Sequence, residues 1–388
     1  MPRINFLVYA VLLLLSSVTF ARPVIVPAPP QVAASSYILV DATTGHVISE
    51  EGADKQLPPA SLTKMMTSYI VSEEIERGDL QEDEKVLITD DAWRRGGAKS
   101  GGSTMFLKPR TEVSVMELMR GVIIQSGNDA SIALAQHLAG SEDAFADVMN
   151  QYAELLGMRF TSFINATGLP AEGHLTTARD LSILAKAVIN DHPEHYEIYS
   201  EKYFSYNGIN QPNRNRLLFR DPSVDGLKTG HTSEAGFCLV ASAKKQGMRL
   251  ISVVLGAKSD EARAVESQKL LSYGFRYFQT HMLYKSTESL SLPKVWKGVA
   301  DQVSLGIVED ATVTIPRGAA EKLDAVTHID SIIEAPIKKG QVLGQLVVSL
   351  DGNKLYSADL IAQSEVAEAG FFARLWDSIV MSVQGALE

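Results

Sequence analysis

Three short motifs in this chain set a hydroxyl beside an amine or amide: Ser61-Leu62-Thr63-Lys64, Ser126-Gly127-Asn128 and Lys228-Thr229-Gly230. Together they contain the parts of an acyl-transfer site. A serine hydroxyl is a poor nucleophile near neutral pH and needs a base. Lys64 can serve only when neutral; partial burial and a second cation, Lys228, both lower a lysine pKa. Ser126 is suited to relay the proton to a leaving amine, and Asn128 to hold a substrate amide. Thr229 and Gly230 lead from Lys228 into a strand whose edge can pair with an extended substrate backbone. The backbone N–H groups of Ser61 and His231 are the candidate oxyanion hole, with the His231 ring packing locally.

Each motif is common alone, so context selects. Ser-x-x-Lys recurs at Ser242 to Lys245 and Ser291 to Lys294, but in strand-like or loop sequence, where a residue three on points to the opposite face. Ser61 begins an apolar helical pattern, where Lys64 falls one turn on and faces the same way. Lys99-Ser100-Gly101 imitates the third motif inside a glycine-rich loop, and Ser205-Tyr206-Asn207 imitates the second. Read singly, Ser61 is a helix cap, Ser126-Gly127-Asn128 a helix break and Lys228 a solvated charge. The order of all three, spaced by about 65 and about 100 residues, argues for one site.

The elements that must position these groups follow from pattern. Residues 36–50 read as a hairpin turning at Thr43-Thr44-Gly45, and residues 61–76 as a helix closed by Gly78. Capping boxes at Ser114 and Thr177 open further helices, the second ending near Asn190. A helix follows Asn128, and another spans residues 141–156 before Gly157. Residues 226–229, 236–243 and 248–257 read as strands, the last two joined through Gln246-Gly247, and residues 260–278 as a helix. Helices between early and late strands predict an α/β (α+β) domain around an antiparallel sheet. From about residue 284 the texture is all-β, with Asp351-Gly352 as a hairpin turn. Residues 371–383 return to a helical stripe of Phe371, Phe372, Leu375, Trp376, Ile379, Val380 and Val383. That stripe reads as an interfacial anchor or as a helix docked on its own protein; Arg374 is its only basic residue.

Composition limits the function. The 388 residues suffice for two domains and a full core. A net charge of -10 argues against a nucleic-acid partner. Residues 1–21 read as an export signal, with Arg3, an apolar run over residues 6–15 and Thr19-Phe20-Ala21 at the cleavage positions. Cys238 is the single cysteine, set in an apolar run, so no internal disulfide is available and a buried role is expected. No His and Cys cluster at metal spacing, and no metal or cofactor is expected.

The residues 59–67 (Pro-Ala-Ser-Leu-Thr-Lys-Met-Met-Thr) and 225–232 (Asp-Gly-Leu-Lys-Thr-Gly-His-Thr) closely resemble the low-molecular-mass penicillin-binding proteins. Specifically, they are similar to the D-alanyl-D-alanine carboxypeptidases of the penicillin-binding protein 5 and 6 type. Gly127, where related motif sets carry Asp, fits those carboxypeptidases. The resemblance covers almost the whole chain. It implies a signal peptide (1–21), a transpeptidase-like catalytic domain (22–283), a small β domain (284–366) and an amphipathic anchor helix (367–388). It implies removal of the terminal D-alanine from peptidoglycan pentapeptides on the periplasmic face of the inner membrane, and acylation by β-lactams. By that likeness Thr229 and Arg263 bind the terminal carboxylate, Arg214 supports the site, and residues 96–103 form a loop beside it.

Two other activities share the machinery. A serine β-lactamase needs a carboxylate to activate the deacylating water, for which Glu172 is the candidate by sequence. A D,D-endopeptidase uses the same three motifs. A non-catalytic wall-binding protein is a third reading, against which the intact Lys64, Ser126 and Lys228 speak.

Overall fold

The structure is a computed structural model and describes residues 25–385. The export signal read at residues 1–21 lies outside the described residues.

Alternating apolar side chains build a five-stranded antiparallel sheet. Its spatial order is Val47–Glu51, Ser36–Asp41, Met248–Ala257, Gly236–Lys245 and Val224–Thr232. The period of two sends Ile38 and Val40 to one face and Tyr37 and Leu39 to the other, and each face has its own core. One core joins the sheet to the helices Lys64–Arg77, Val115–Ile123, Asn128–Ala139 and Ala178–Asn190. The other packs the sheet under the helix Asp260–Tyr277. Among the described residues the last strand, Val224–Thr232, is left as a free edge, and it carries Lys228-Thr229-Gly230.

The expected α+β architecture with an antiparallel sheet is therefore present, and most helix ends fall at their signals. Gly78 and Gly157 take positive φ at helix C-termini. Ser114 and Glu117 form the reciprocal capping box. Thr177 caps its helix by accepting from Asp180 N, but the box is incomplete. The Asp180 carboxylate instead accepts from Phe160 N and Thr161 Oγ1, tying a neighbouring loop to the helix start.

The larger difference lies at Ser61. The sequence reads as one α-helix from residue 61, whereas Ala60–Thr63 form a 3₁₀ turn and the α-helix begins at Lys64. In a 3₁₀ turn side chains at i and i+3 eclipse, so the tighter winding sets Lys64 directly over Ser61.

A third core gathers Val295, Leu305, Ile307, Leu346, Val348 and Leu360 in the β region. There Leu305–Gly306, Asn353–Ala362, Val342–Leu350 and Leu323–Ile329 form a four-stranded sheet, and Phe278–Tyr284 pairs with Ala311–Pro316. Asp351 and Gly352 both take positive φ, as the hairpin turn requires. Asp41 links the two regions: its carboxylate accepts from Thr280 Oγ1 at 2.6 Å and Thr314 Oγ1 at 2.8 Å.

The closing helix, Phe371–Gly385, is tethered where Lys297 N donates to Asp377. Phe371, Phe372, Leu375, Trp376, Ile379 and Val383 stay exposed, so the rest of the described residues do not cover the apolar stripe. Among the described residues no helix is long and apolar enough to cross a membrane.

Candidate active site

The three motifs converge from three different elements. Ser61 comes from the 3₁₀ turn, Ser126 and Asn128 from the entrance to the Asn128–Ala139 helix, and Lys228 from the free strand edge. Ser61, Ser126, Arg214, Thr229, Gly230, His231 and Arg263 line one open cleft of about 720 Å³. Gly230 allows the close approach of strand and turn, since a Cβ there would stand 3.0 Å from the Pro59 carbonyl oxygen.

Lys64 is fully buried. Its Nζ lies 3.2 Å from Ser61 Oγ, 2.8 Å from Asn128 Oδ1 and 2.5 Å from the Thr167 carbonyl. Burial lowers its pKa to about 7, against the opposing pull of the Asp129 and Glu142 carboxylates. Lys228 is buried too and donates to Ser126 Oγ at 2.8 Å and to the Thr229 carbonyl at 3.2 Å. Burial first, then the charges of Lys64, Arg263 and Arg214, hold its pKa well below the ordinary lysine value.

Ser126 takes φ of +61°, a left-handed conformation that a serine adopts only under constraint. The constraint is visible around it: Gly127 N donates to the Gly121 carbonyl and Asn128 N to the Ser103 carbonyl, both at 2.9 Å. A Cβ on Gly127 would lie 2.9 Å from Asp129 Oδ1 and 3.0 Å from Met105 N, which leaves no room for the Asp of related motif sets.

The remaining expected residues are placed as follows. The His231 ring stacks on Phe237, centroids 4.0 Å apart. Arg263 is buried behind the strand; it donates to the Gly230 carbonyl at 2.9 Å and pairs with Asp260. Arg214 is exposed on the cleft wall between two buried asparagines. Asn213 donates to the Tyr199 and Glu201 carbonyls, and Asn215 Nδ2 donates to the Gly226 carbonyl at 2.9 Å, anchoring the Arg214 loop to the catalytic strand. Glu172 is exposed and lines a different pocket, one that Ser61 does not enter. The imitating motifs fall elsewhere: Ser242 accepts from Arg249, Asn207 turns the Tyr203–Tyr206 and Ile209–Pro212 hairpin, and Lys99 sits on an exposed 3₁₀ turn.

Sequence reasoning missed Asp129. Its buried carboxylate accepts from Thr104 Oγ1 at 2.7 Å, Met105 N at 2.8 Å and Leu107 N at 3.0 Å, and so holds the cleft loop against the Asn128 helix. The available signal was an acid on the apolar face of a helix directly after Asn128. It also missed the Thr167 carbonyl, which is a backbone group and carries no side-chain signature.

The matched family settles what this geometry belongs to. The sequence model of a peptidase family described as D-alanyl-D-alanine carboxypeptidase matches residues 24–259, more than half the chain. The chain belongs to that family. Residues 278–368 match the C-terminal domain of penicillin-binding protein 5. The chain is 48% identical over 375 residues to the D-alanyl-D-alanine carboxypeptidase DacC of Escherichia coli K12, covering 96% of this chain and 94% of that protein. It is 44% identical to the carboxypeptidase DacA of the same strain, covering 91% of this chain and 89% of that protein. Penicillin-binding protein 5 of Haemophilus influenzae superposes with a TM-score of 0.84 at 43% identity, covering 88% of this carboxypeptidase-family chain and all of that one. The resemblance stated from the motifs thus holds across both regions.

Proposed function

We propose that this D-alanyl-D-alanine carboxypeptidase works through an acyl-enzyme on Ser61, with Lys64 as its base. The observation that carries the reading is the set of contacts around Lys64 Nζ. A neutral amine has two N–H groups and one lone pair. Asn128 Oδ1 and the Thr167 carbonyl are both acceptors and take the two N–H groups. The lone pair is left for the Ser61 hydroxyl proton at 3.2 Å. With a pKa of about 7, Lys64 is neutral in a large fraction of molecules near neutral pH.

Ser61 Oγ then attacks the penultimate D-Ala carbonyl as its proton passes to Lys64. The oxyanion is held by the backbone N–H groups of Ser61 and His231. Ser126, bonded to Lys228, passes a proton to the departing D-alanine amine. Thr229 receives the terminal carboxylate, and the positive field of Arg263 and Arg214 favours it there. Water cleaves the acyl-enzyme. A β-lactam acylates the same hydroxyl, and its ring-opened product stays attached longer.

Residues 1–21 direct export, which places the enzyme in the periplasm with its peptidoglycan pentapeptide substrate. The exposed stripe of the closing helix supports peripheral contact with the outer face of the inner membrane. The catalytic domain runs from residue 22 and the β-rich adaptor to residue 366; the strand Phe278–Tyr284, which pairs with Ala311–Pro316, moves their boundary six residues ahead of the one expected at 284.

Intact-mass measurement after adding penicillin tests the mechanism. A one-drug adduct on Ser61 that persists for minutes, absent in Ser61→Ala, together with D-alanine release from a D-Ala-D-Ala peptide, is the expected result. D-alanine release by Ser61→Ala overturns it. Rapid drug hydrolysis abolished in Glu172→Gln points instead to a β-lactamase.

A further inference from the structure

His174 is a buried titratable group that none of these steps uses; it is 3% exposed. Both ring nitrogens are engaged. Ile164 N donates to Nδ1 at 3.0 Å, so Nδ1 is the acceptor and the neutral ring carries its proton on Nε2. Nε2 lies 2.8 Å from Thr63 Oγ1, and the Thr63 hydroxyl donates to the Ala60 carbonyl at 2.9 Å. The donors therefore run one way, from Ile164 N–H to His174, from His174 to Thr63, and from Thr63 to Ala60.

The chain of hydrogen bonds ends on the residue before the nucleophile. Ala60 has φ of +48°, a left-handed conformation that an L-residue with a Cβ rarely adopts. Such a conformation persists only where its surroundings over-determine it. The Ala60 carbonyl is also pressed against Gly168, where a Cβ would stand 1.8 Å from the carbonyl oxygen. The loop that carries Gly168 and His174 reaches the catalytic groups a second time, since its Thr167 carbonyl accepts from Lys64 Nζ. Base and nucleophile are thus referenced to one loop.

We propose that His174, acting through Thr63, is a positioning residue for acyl transfer: its neutral Nε2–H tautomer locks the strained Ala60 turn that aims the Ser61 hydroxyl and N–H. The proposal rests on the reading of Ser61 as nucleophile. Lys64 faces His174 from the catalytic helix; Glu172 on its own loop and Glu234 across the adjoining pocket are exposed. Burial first, then the Lys64 charge, hold His174 at a pKa of about 4, so this tautomer persists across the range in which Lys64 loses its proton.

The test is the acylation of Ser61 by a penicillin, resolved into non-covalent affinity and the first-order acylation constant. His174→Ala and Thr63→Val should each lower the acylation constant on the order of 10²-fold, with affinity nearly unchanged, because misplacement of about 1 Å carries that penalty. Thr63→Ser, which keeps the hydroxyl, should react like wild type. His174→Gln should recover most of the rate, because its amide N–H can still reach Thr63. The double variant should be no slower than the worse single one, since both remove one relay. Wild-type acylation in Thr63→Val, or multiplicative losses in the double variant, overturns the proposal. Should His174→Ala fail to fold, Thr63→Val and His174→Gln decide. A wild-type protein with no Ser61 adduct overturns the parent mechanism and this proposal with it; a reactive wild type beside an equally reactive Thr63→Val overturns this proposal alone.

Discussion

Lys228 Nζ donates to Ser126 Oγ at 2.8 Å, the counterpart of the 3.2 Å approach of Lys64 to Ser61. The two amine–hydroxyl pairs differ in their electrostatic surroundings. Lys64 has the carboxylates of Asp129 and Glu142 near it, which soften the effect of burial. Lys228 has Lys64, Arg263 and Arg214, which add to it. Lys64 is the lysine within reach of Ser61, as a base for that hydroxyl must be. Lys228 stands where a proton relay to the leaving group needs a donor.

The acylation rate should follow the protonation of Lys64. Below its pKa of about 7 the amine has no lone pair, so the rate should fall about tenfold per pH unit and level off above pH 7. Penicillin acylation measured from pH 5 to 9 checks this. Lys64→Ala should lose roughly 10²–10⁴-fold at every pH and lose the inflection. A profile in Lys64→Ala that keeps the same inflection would assign it to another group.

The same depressed lysines make a stability prediction. In the unfolded chain a lysine keeps its proton to about pH 10. Between pH 7 and 8.5 the unfolded state therefore binds more protons than the folded state, and stability should rise with pH. The slope is at most about 1.4 kcal/mol per pH unit for each group that titrates. Urea unfolding at pH 7 and 8.5 measures it. Lys64→Met should show a shallower slope, and an unchanged slope would mean that Lys64 does not titrate there.

Asp129→Asn separates the clamp from the charge. The carboxylate accepts from Thr104, Met105 and Leu107, whereas an amide has one acceptor oxygen and turns a donor toward one of them. A loss of about 2–4 kcal/mol in unfolding free energy is expected, the range for breaking a buried charged network. Removal of the negative charge should also lower the Lys64 pKa, since Asp129 raises it. The acid limb of the acylation profile should then move to lower pH.

Asp41→Ala should uncouple the two regions without touching the site. The carboxylate is buried and receives both Thr280 and Thr314 hydroxyls from the β region. Thr280 loses its acceptor in the variant, at roughly 1–3 kcal/mol, while Thr314 keeps its bond to Thr44 Oγ1. Acylation of Ser61 should stay within about twofold, while limited proteolysis between the regions speeds up. A variant as resistant as wild type would show that the remaining contacts, among them those of Arg317 with Phe275 and Gln246, hold them.

Much of this was legible from residue types. The sheet strands, the helix caps at Ser114 and Thr177, and the motif triad all rest on short-range patterns. The 3₁₀ turn at Ser61 was not, because α and 3₁₀ windings share an apolar pattern over one turn. Ala60, just before Ser61, takes a left-handed φ, and its carbonyl accepts from Thr63, whose own partner His174 lies more than a hundred residues away in sequence. Asp129 was hidden for a similar reason: its partners are backbone N–H groups brought near only by the fold. The strand Leu323–Ile329 lies on a sheet edge, where Asp324, Thr327 and His328 face solvent and blur the alternation. The Tyr203–Pro212 hairpin had its signal in Asn207-Gly208, both at positive φ, which reading the segment as an imitation of Ser126-Gly127-Asn128 obscured.

The closing helix should bind membranes by insertion rather than by charge attraction. Phe372 is 84% exposed and Trp376 67%, on a stripe shared with Leu375, Ile379 and Val383. Arg374, the only basic residue of the helix, is already paired with Glu368. Binding should therefore be nearly independent of salt and of anionic lipid, since each juxtamembrane cation contributes only about 1 kcal/mol and this one is neutralised. Co-sedimentation with neutral and anionic vesicles at low and high salt measures both dependences. Phe372→Ser with Trp376→Ser should release the protein from either vesicle and leave acylation of Ser61 unchanged. Binding that survives both substitutions, or that vanishes in salt, would place the membrane contact elsewhere on the molecule.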